Sequence, residues 1–320
     1  MLSLRLIVPP DRTDAVVRML DGDGRATNVT LVRGAGLRPA GDLVQCEVTR
    51  EAVSEVLGWL RDEGLYTDGS VVVTDVLAAP SQNARRTEEA APGAPDDAIV
   101  WDSVLDNAYG EVRGSWSFYA FLTLATTIAA VAVITDSSIL VVGAMVVGPE
   151  FGVVAALALG LAAGRSTLIR NATSLLVKSF LVAIAVTALL ALLARSAGWI
   201  DAGDVTGARP LTGFIWRPDR WSAVVAVLAG CAGVLSQTAG RTSALVGVFI
   251  SVTTVPAAGD LALSLALGAF GQLPGSAAQL AINLVGITVA GVLTLLVQRG
   301  VWRVRRPRGS TAGERAPARG

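Results

Sequence analysis

Between residues 117 and 298 the chain carries six apolar runs, at 117–134, 138–163, 170–194, 222–240, 243–270 and 277–298. Runs of this length match the roughly 20 helical residues needed to cross about 30 Å of hydrocarbon. In lipid every backbone N–H and C=O must be paired within the segment, so such runs are read as helices. Composition agrees: 52% of the 320 residues are hydrophobic and only 16% are charged, too few charges to cover a soluble domain. The expectation is an α-helical polytopic membrane protein with about six transmembrane helices in the plasma membrane, its partners the lipid bilayer and a small solute or ion.

What is missing narrows the function. The formal net charge is zero, which gives no electrostatic footing for nucleic acid. There is no histidine, so the commonest metal ligand and general base is absent. No metal cluster, cofactor or GxSxG nucleophile motif is expected, and the chain is not read as an enzyme. Cys46 and Cys231 lie in unlike contexts, so no disulfide framework is expected. The opening MLSLRLIVPP has too short an apolar stretch for a signal peptide. Insertion is therefore assigned to the transmembrane helices.

Ahead of the apolar half, residues 1–78 alternate between strand and helix patterns. Strands are predicted at 2–8, 27–33, 42–48 and 70–77, with a Gly-containing turn at 34–41. Helices are predicted at 12–20, with Val16, Met19 and Leu20 on one side, and at 50–63, where Val53, Val56, Leu57 and Leu60 recur at helical spacing behind a Thr49 N-cap. The order βαββαβ predicts a ferredoxin-like α+β cytoplasmic domain. It serves either as an effector-binding domain or as a packing and oligomerisation module, and a homo-oligomer is expected.

Residues 79–98, rich in Ala, Pro and charge, read as a flexible linker. Over 99–116, Trp101, Val104, Leu105, Ala108, Tyr109 and Val112 form one apolar helical stripe opposite Asp102, Asp106 and Glu111. This is either a juxtamembrane helix anchored by Trp101 and Trp116 or a helix packed under the soluble domain. Residues 299–320 form a basic tail carrying Arg299, Arg303, Arg305, Arg306, Arg308, Arg315 and Arg319, read as disordered and cytoplasmic.

The second and fifth apolar segments share a feature. VVGPEFG (146–152) and the stretch around Pro256 both interrupt an apolar run with Pro-x-x-Gly, at Pro149 to Gly152 and at Pro256 to Gly259. Breaks at matching places suggest two repeats of three helices, and an odd number per repeat makes them inverted. Six crossings put both termini in the cytoplasm, and leave the loop at 195–221 outside despite Arg195, Arg209, Arg217 and Arg220. Five crossings remain the alternative count.

TTIAAVAVITDSSILVVGAMVVGPEFGVVAALALGLAAG and LAGCAGVLSQTAGRTSALVGVFISVTTVPAAGD resemble the two hallmark segments of the hydrophobic prokaryotic membrane proteins catalogued as domain of unknown function 389. The resemblance covers roughly residues 100–298. It implies a membrane fold and supplies no catalytic residues. The family usually has an apolar residue where this chain has Glu150, and often a proline pair where this chain has Val255-Pro256-Ala257.

A proline inside a helix leaves backbone groups unpaired, and in hydrocarbon these need protein or water partners. The helix that restarts after the break also aims free N–H groups and the positive end of its dipole toward mid-membrane. If the two breaks meet, Gly148, Pro149, Glu150, Gly152, Pro256, Gly259 and Asp260 line a substrate or ion pathway, with Lys178 as counter-charge. The competing reading is a pair of kinked helices packed through glycines, with Glu150 capping its own helix, Lys178 snorkelling to an interface, and Asp136 a helix cap. The functional expectation is a small-solute or ion transporter or channel with a cytoplasmic regulatory domain. The alternative is a non-transporting scaffold or ligand sensor.

Overall fold

The computed structural model describes residues 1–91, 98–239 and 253–305, with side chains given to residue 301. By contacts it divides into a unit built on Met1–Asn107 and a second built mainly on Ala108–Ser236 and the described residues beyond 252.

In the first unit the alternation of the sequence becomes a four-stranded antiparallel sheet. Its elements are β1 (Leu2–Val8), α1 (Thr13–Gly22), β2 (Ala26–Leu37), β3 (Ala40–Val48), α2 (Arg50–Asp62), α3 (Leu65–Asp68) and β4 (Ser70–Asp75). Strand order is β2-β3-β1-β4, with Leu4 opposite Cys46 on one side and Val73 on the other. Leu2, Leu4, Leu6 and Val8 alternate into a core with Val16 and Leu20 of α1 and Val53, Val56, Leu57 and Leu60 of α2. Each such side chain contributes about 1.5–3 kcal/mol on full burial. Cys46 is fully buried there, and burial pushes its thiol up to about 12, so it acts as a small apolar side chain rather than a nucleophile.

Three local expectations change. The glycines at 34–41 do not form a long turn: β2 and β3 run on through them, with a register irregularity between Val32 and Gly36. Gly34 takes a φ of +65° there, which glycine adopts without a Cβ clash, and its N–H donates to buried Asp42 at 2.8 Å. Thr49 holds the N-cap position of α2 but makes no capping bond with its side chain. Part of the expected linker is ordered: α4 (Gln82–Ala90) starts at Ser81, whose Oγ accepts from Ala84 N. Ala98 and Ile99 are buried, their carbonyls accepting from Arg50 Nε and Ser54 Oγ. Residues 92–97 of that linker lie outside the described residues.

The predicted apolar stripe of 99–116 is α5 (Trp101–Glu111), with Ala108 buried, Val112 buried just past its end, and Asp102 paired to Arg61 at 2.9 Å. The second unit then contains α6 (Trp116–Ile134), α7 (Ser138–Val147), α8 (Glu150–Ala163), α9 (Ser166–Ser196), α10 (Ala202–Thr206), α11 (Arg220–Thr238), α12 (Thr254–Leu267) and α13 (Leu273–Arg305). Among the described residues four helices are long and apolar enough to cross a membrane: α6, α9, α11 and α13 over Leu273–Val301. The bent pair α7 and α8 makes five if counted as one span. The helix α13 continues past residue 298 into the stretch expected to begin the tail. There Arg299 Nη1 donates to Ala162 O at 2.8 Å. Arg306, Arg308, Arg315 and Arg319 lie outside the described residues, as do the side chains of Arg303 and Arg305.

Close contacts fix helix directions within this unit. Thr127 and Thr187 share a hydrogen bond at 3.1 Å, and Gly114, just ahead of α6, faces Leu175, so α6 and α9 run parallel. Gly259 of α12 abuts Thr126 and Ala129, and Arg195 donates to Ala266 O, so α12 runs the same way. Against α13, Ala226 meets Gly286 while Gly230 meets Ile287 and Ala290, so α11 runs parallel to α13. The turn after Gly268 makes α12 and α13 antiparallel. Thus α6, α9 and α12 point one way, and α11 and α13 the other.

Candidate functional site

The break expected at Pro149 has a local cause. A residue ahead of proline is pushed out of the helical region, and Gly148 is extended at φ −67°, ψ 127°. Pro149 has no N–H to continue the ladder, so α7 ends at Val147 and α8 restarts at Glu150, bent by 56°. The Glu150 carboxylate folds back onto Gly148, and its Oε2 is buried without a hydrogen-bond partner among the described residues.

Pro256 differs from the expectation. It is no interruption among the described residues but the third residue of α12, in the first turn, where a missing N–H costs little. Residues 243–252, expected as the preceding half, lie outside the described residues. The two helix starts nevertheless meet. A Cβ on Gly148 would lie 2.8 Å from Val255 Cγ2, so the Gly148-Pro149-Glu150 turn packs on the residue before Pro256.

Two further groups surround this junction. Thr253 Oγ1 accepts from Gln279 Nε2 at 2.8 Å and Asn283 Nδ2 at 3.0 Å. Two accepted bonds occupy its lone pairs, leaving the hydroxyl hydrogen to donate elsewhere. Gln279 is 2% exposed and its Oε1 has no partner among the described residues. On α8, the Glu111 carboxylate lies against Gly152, where any Cβ would collide with it. Glu111 is exposed as a residue, yet burial of its carboxyl holds it above the usual carboxylate range.

Other expected members lie elsewhere. Gly259 packs on α6, a built Cβ lying 2.9 Å from Thr126 O, Ala130 N and Ala129 Cβ. Its role here is close helix contact. Asp260 is fully buried but pairs with Arg209 Nη1 at 2.7 Å and accepts from Ser276 Oγ at 2.5 Å. Arg209 Nη2 also donates to Gln272 Oε1 at 2.6 Å. Lys178 does not supply Asp260's counter-charge: it is exposed and makes no hydrogen bond or ion pair among the described residues. Asp136 caps no helix of its own. It accepts from Leu211 N and Thr212 Oγ1 in the 195–221 loop.

Sequence reading missed Arg209 as Asp260's partner, and it missed the polar seam of α13. Gln272, Ser276, Gln279 and Asn283 recur at i, i+4, i+7 and i+11 and are all buried. That spacing is one helical face and was available in the sequence, but the hydropathy of the whole run obscured it.

Residues 145–289, which hold the break, the start of α12 and the Arg209–Asp260 pair, match the family model DUF389, a domain of unknown function. The match is shorter than the 100–298 of the expected resemblance, and α5 and α6 with Glu111 precede it. No curated protein and no solved structure matches the chain. Within residues 145–289, Glu150, Thr253 and Gln279 gather around one contact between two helix starts, and this gives the matched stretch a candidate polar site.

Proposed function

We propose that the protein is a small-solute or ion transporter or channel, with its polar site where α8 and α12 begin. The observation that carries this reading is the packing of Gly148 on Val255 beside a buried Glu150 Oε2 that has no hydrogen-bond partner among the described residues. Two helix N-termini meeting at one point bring first-turn N–H groups and positive dipole ends together. A carboxylate there takes up a proton or a cation, and such residues in a membrane usually mark a pathway. In this reading α7 and α8 form one broken crossing and α12 completes the fifth, giving six crossings. The opposite directions of α6/α9/α12 and α11/α13 support two inverted repeats, and both termini are cytoplasmic.

The N-terminal unit is read as a ferredoxin-like regulatory domain, supported by its element order and its β2-β3-β1-β4 sheet. The full protein is read as a homo-oligomer in the plasma membrane.

The test is flux in proteoliposomes against a panel of monovalent cations, small anions and imposed pH gradients. Wild-type protein is expected to move at least one of these. Glu150→Gln keeps the shape of the side chain and is expected to abolish or uncouple that flux while the protein elutes as wild type. Equal flux in the variant removes Glu150 from the mechanism, and no flux from wild type across the panel favours the scaffold or sensor reading.

A further inference from the structure

The segment 197–219, between α9 and α11, is attached to the helices at several points. Arg209 reaches Asp260 on α12 and Gln272. Gln272 Nε2 returns a bond to Val205 O at 3.0 Å. Asp136, in the turn after α6, holds Leu211 and Thr212. Val205 and Ile215 are fully buried in an apolar cluster with Ala257, Leu263 and Leu267 of α12. A Cβ on Gly275 would collide with Trp216 O, so α13 begins hard against the segment.

A buried ion pair is a poor choice for a permanent fastening. Desolvating two charges offsets much of their attraction, and an apolar pair of similar volume holds as well or better. The pair here is also incompletely satisfied, since Arg209 Nε is buried without a partner among the described residues. Such a contact separates as a unit when both charges regain water, which makes it suited to two discrete arrangements. Its position has a mechanical consequence: Asp260 lies five residues after Val255 on α12, about 7.5 Å along the axis. The segment therefore grips the same helix whose start packs on Gly148.

We infer that residues 197–219 are a strap that holds the start of α12 against the Gly148-Pro149 turn, and that Arg209–Asp260 is its latch. Release of the latch frees the start of α12 and opens the junction at Glu150 to one side of the membrane. The inference rests on the polar site proposed above, but its test needs no transport.

In a full-length background with Cys46→Ser and Cys231→Ala, Val255→Cys reports on the junction. Leu168→Cys, fully buried near the α8–α9 turn, reports on general loosening in a parallel protein. Labelling of each by a small water-soluble thiol reagent is timed with the latch intact, with Asp260→Asn, and with the milder Arg209→Lys. The last keeps the charge but loses the planar fork that reaches Gln272.

At Val255→Cys the expected result is faster labelling by about tenfold or more with Asp260→Asn, and by a smaller factor with Arg209→Lys. Labelling at Leu168→Cys is unchanged. Equal acceleration at both positions means the pair only stabilises the fold, and no acceleration at Val255→Cys means it latches nothing; either overturns the inference. If Asp260→Asn does not fold, Arg209→Lys alone decides by the same two criteria. Selective labelling together with absent flux keeps the strap and removes the transport reading.

Discussion

Arg209 and Asp260, 51 residues apart, form an ion pair 2.7 Å long whose side chains are 3% and 0% exposed. The pair bears on the membrane arrangement. Four arginines between 195 and 221 oppose an external position for this loop under the positive-inside rule. Two of them are engaged: Arg209 is neutralised by Asp260, and Arg195 donates to Ala266 O. Arg217 stacks over Trp216 at 4.3 Å.

Removing one partner leaves the other charge buried. Asp260→Ala is expected to destabilise the protein by about 3–5 kcal/mol, whereas Arg209→Met with Asp260→Leu is expected to fall within about 1 kcal/mol of wild type or above it. Thermal midpoints in detergent distinguish the two. A double variant as unstable as the single one contradicts this account.

Lys178 sits on an exposed face of α9 and makes no hydrogen bond or ion pair among the described residues. Lys178→Met is expected to change stability by no more than about 0.5 kcal/mol and to leave flux at the wild-type level. A loss of flux comparable to that of Glu150→Gln returns Lys178 to the pathway.

Gly259 allows α12 to approach the backbone of α6. Gly259→Val forces Cβ and two methyls into atoms already 2.9 Å from the built Cβ, and overpacking of this kind costs about 1–3 kcal/mol. The measurement is again the thermal midpoint, or the monodisperse fraction after extraction. A variant as stable as wild type shows that the α6–α12 contact adjusts freely.

Asp42 is held below the usual carboxylate range by the Gly34 N–H it accepts and by Thr13, while Arg33 nearby adds a smaller pull. A depressed carboxyl adds stability above its unfolded value of about 3.9, and loses it as pH falls through the lower folded value. Wild type is therefore expected to exceed Asp42→Asn in stability of the N-terminal unit at pH 7, with the gap closing as pH falls from about 4 toward 2. Circular dichroism melts of the two proteins across that range check the sign. A gap that widens toward acid reverses it.

New cysteines at Ser81 and Ser310 in a cysteine-free protein are expected to resist impermeant reagents in intact cells and to react after permeabilisation. Outside labelling of either one removes the arrangement with both termini in the cytoplasm.

Much of this was legible locally. The alternation LSLRLIV marked β1, and four apolar runs long enough for helices became α6, α9, α11 and α13. Gly148-Pro149 announced its own break, since proline removes an N–H and disfavours helix in the residue before it. The glycines at 34–41 misled because glycine marks a tight turn and a strand irregularity equally well. Residues 82–90 misled because a short polar helix that starts from Ser81 has little apolar periodicity to display.

What the sequence by itself determined was therefore most of the long elements and the break at Pro149, because hydrophobic period and proline chemistry act within a few residues. Only the tertiary structure decided which polar groups share a partner. Asp260 appeared to face Lys178 or a pathway until Arg209 was brought to it from a distant loop. Glu111 stood on the polar side of a helical stripe until the missing Cβ of Gly152 admitted its carboxylate. Thr253 found Gln279 and Asn283 across a turn. These pairings arise because burial leaves polar atoms no water to bind, and which atoms meet is set by how helices of similar hydropathy pack against one another.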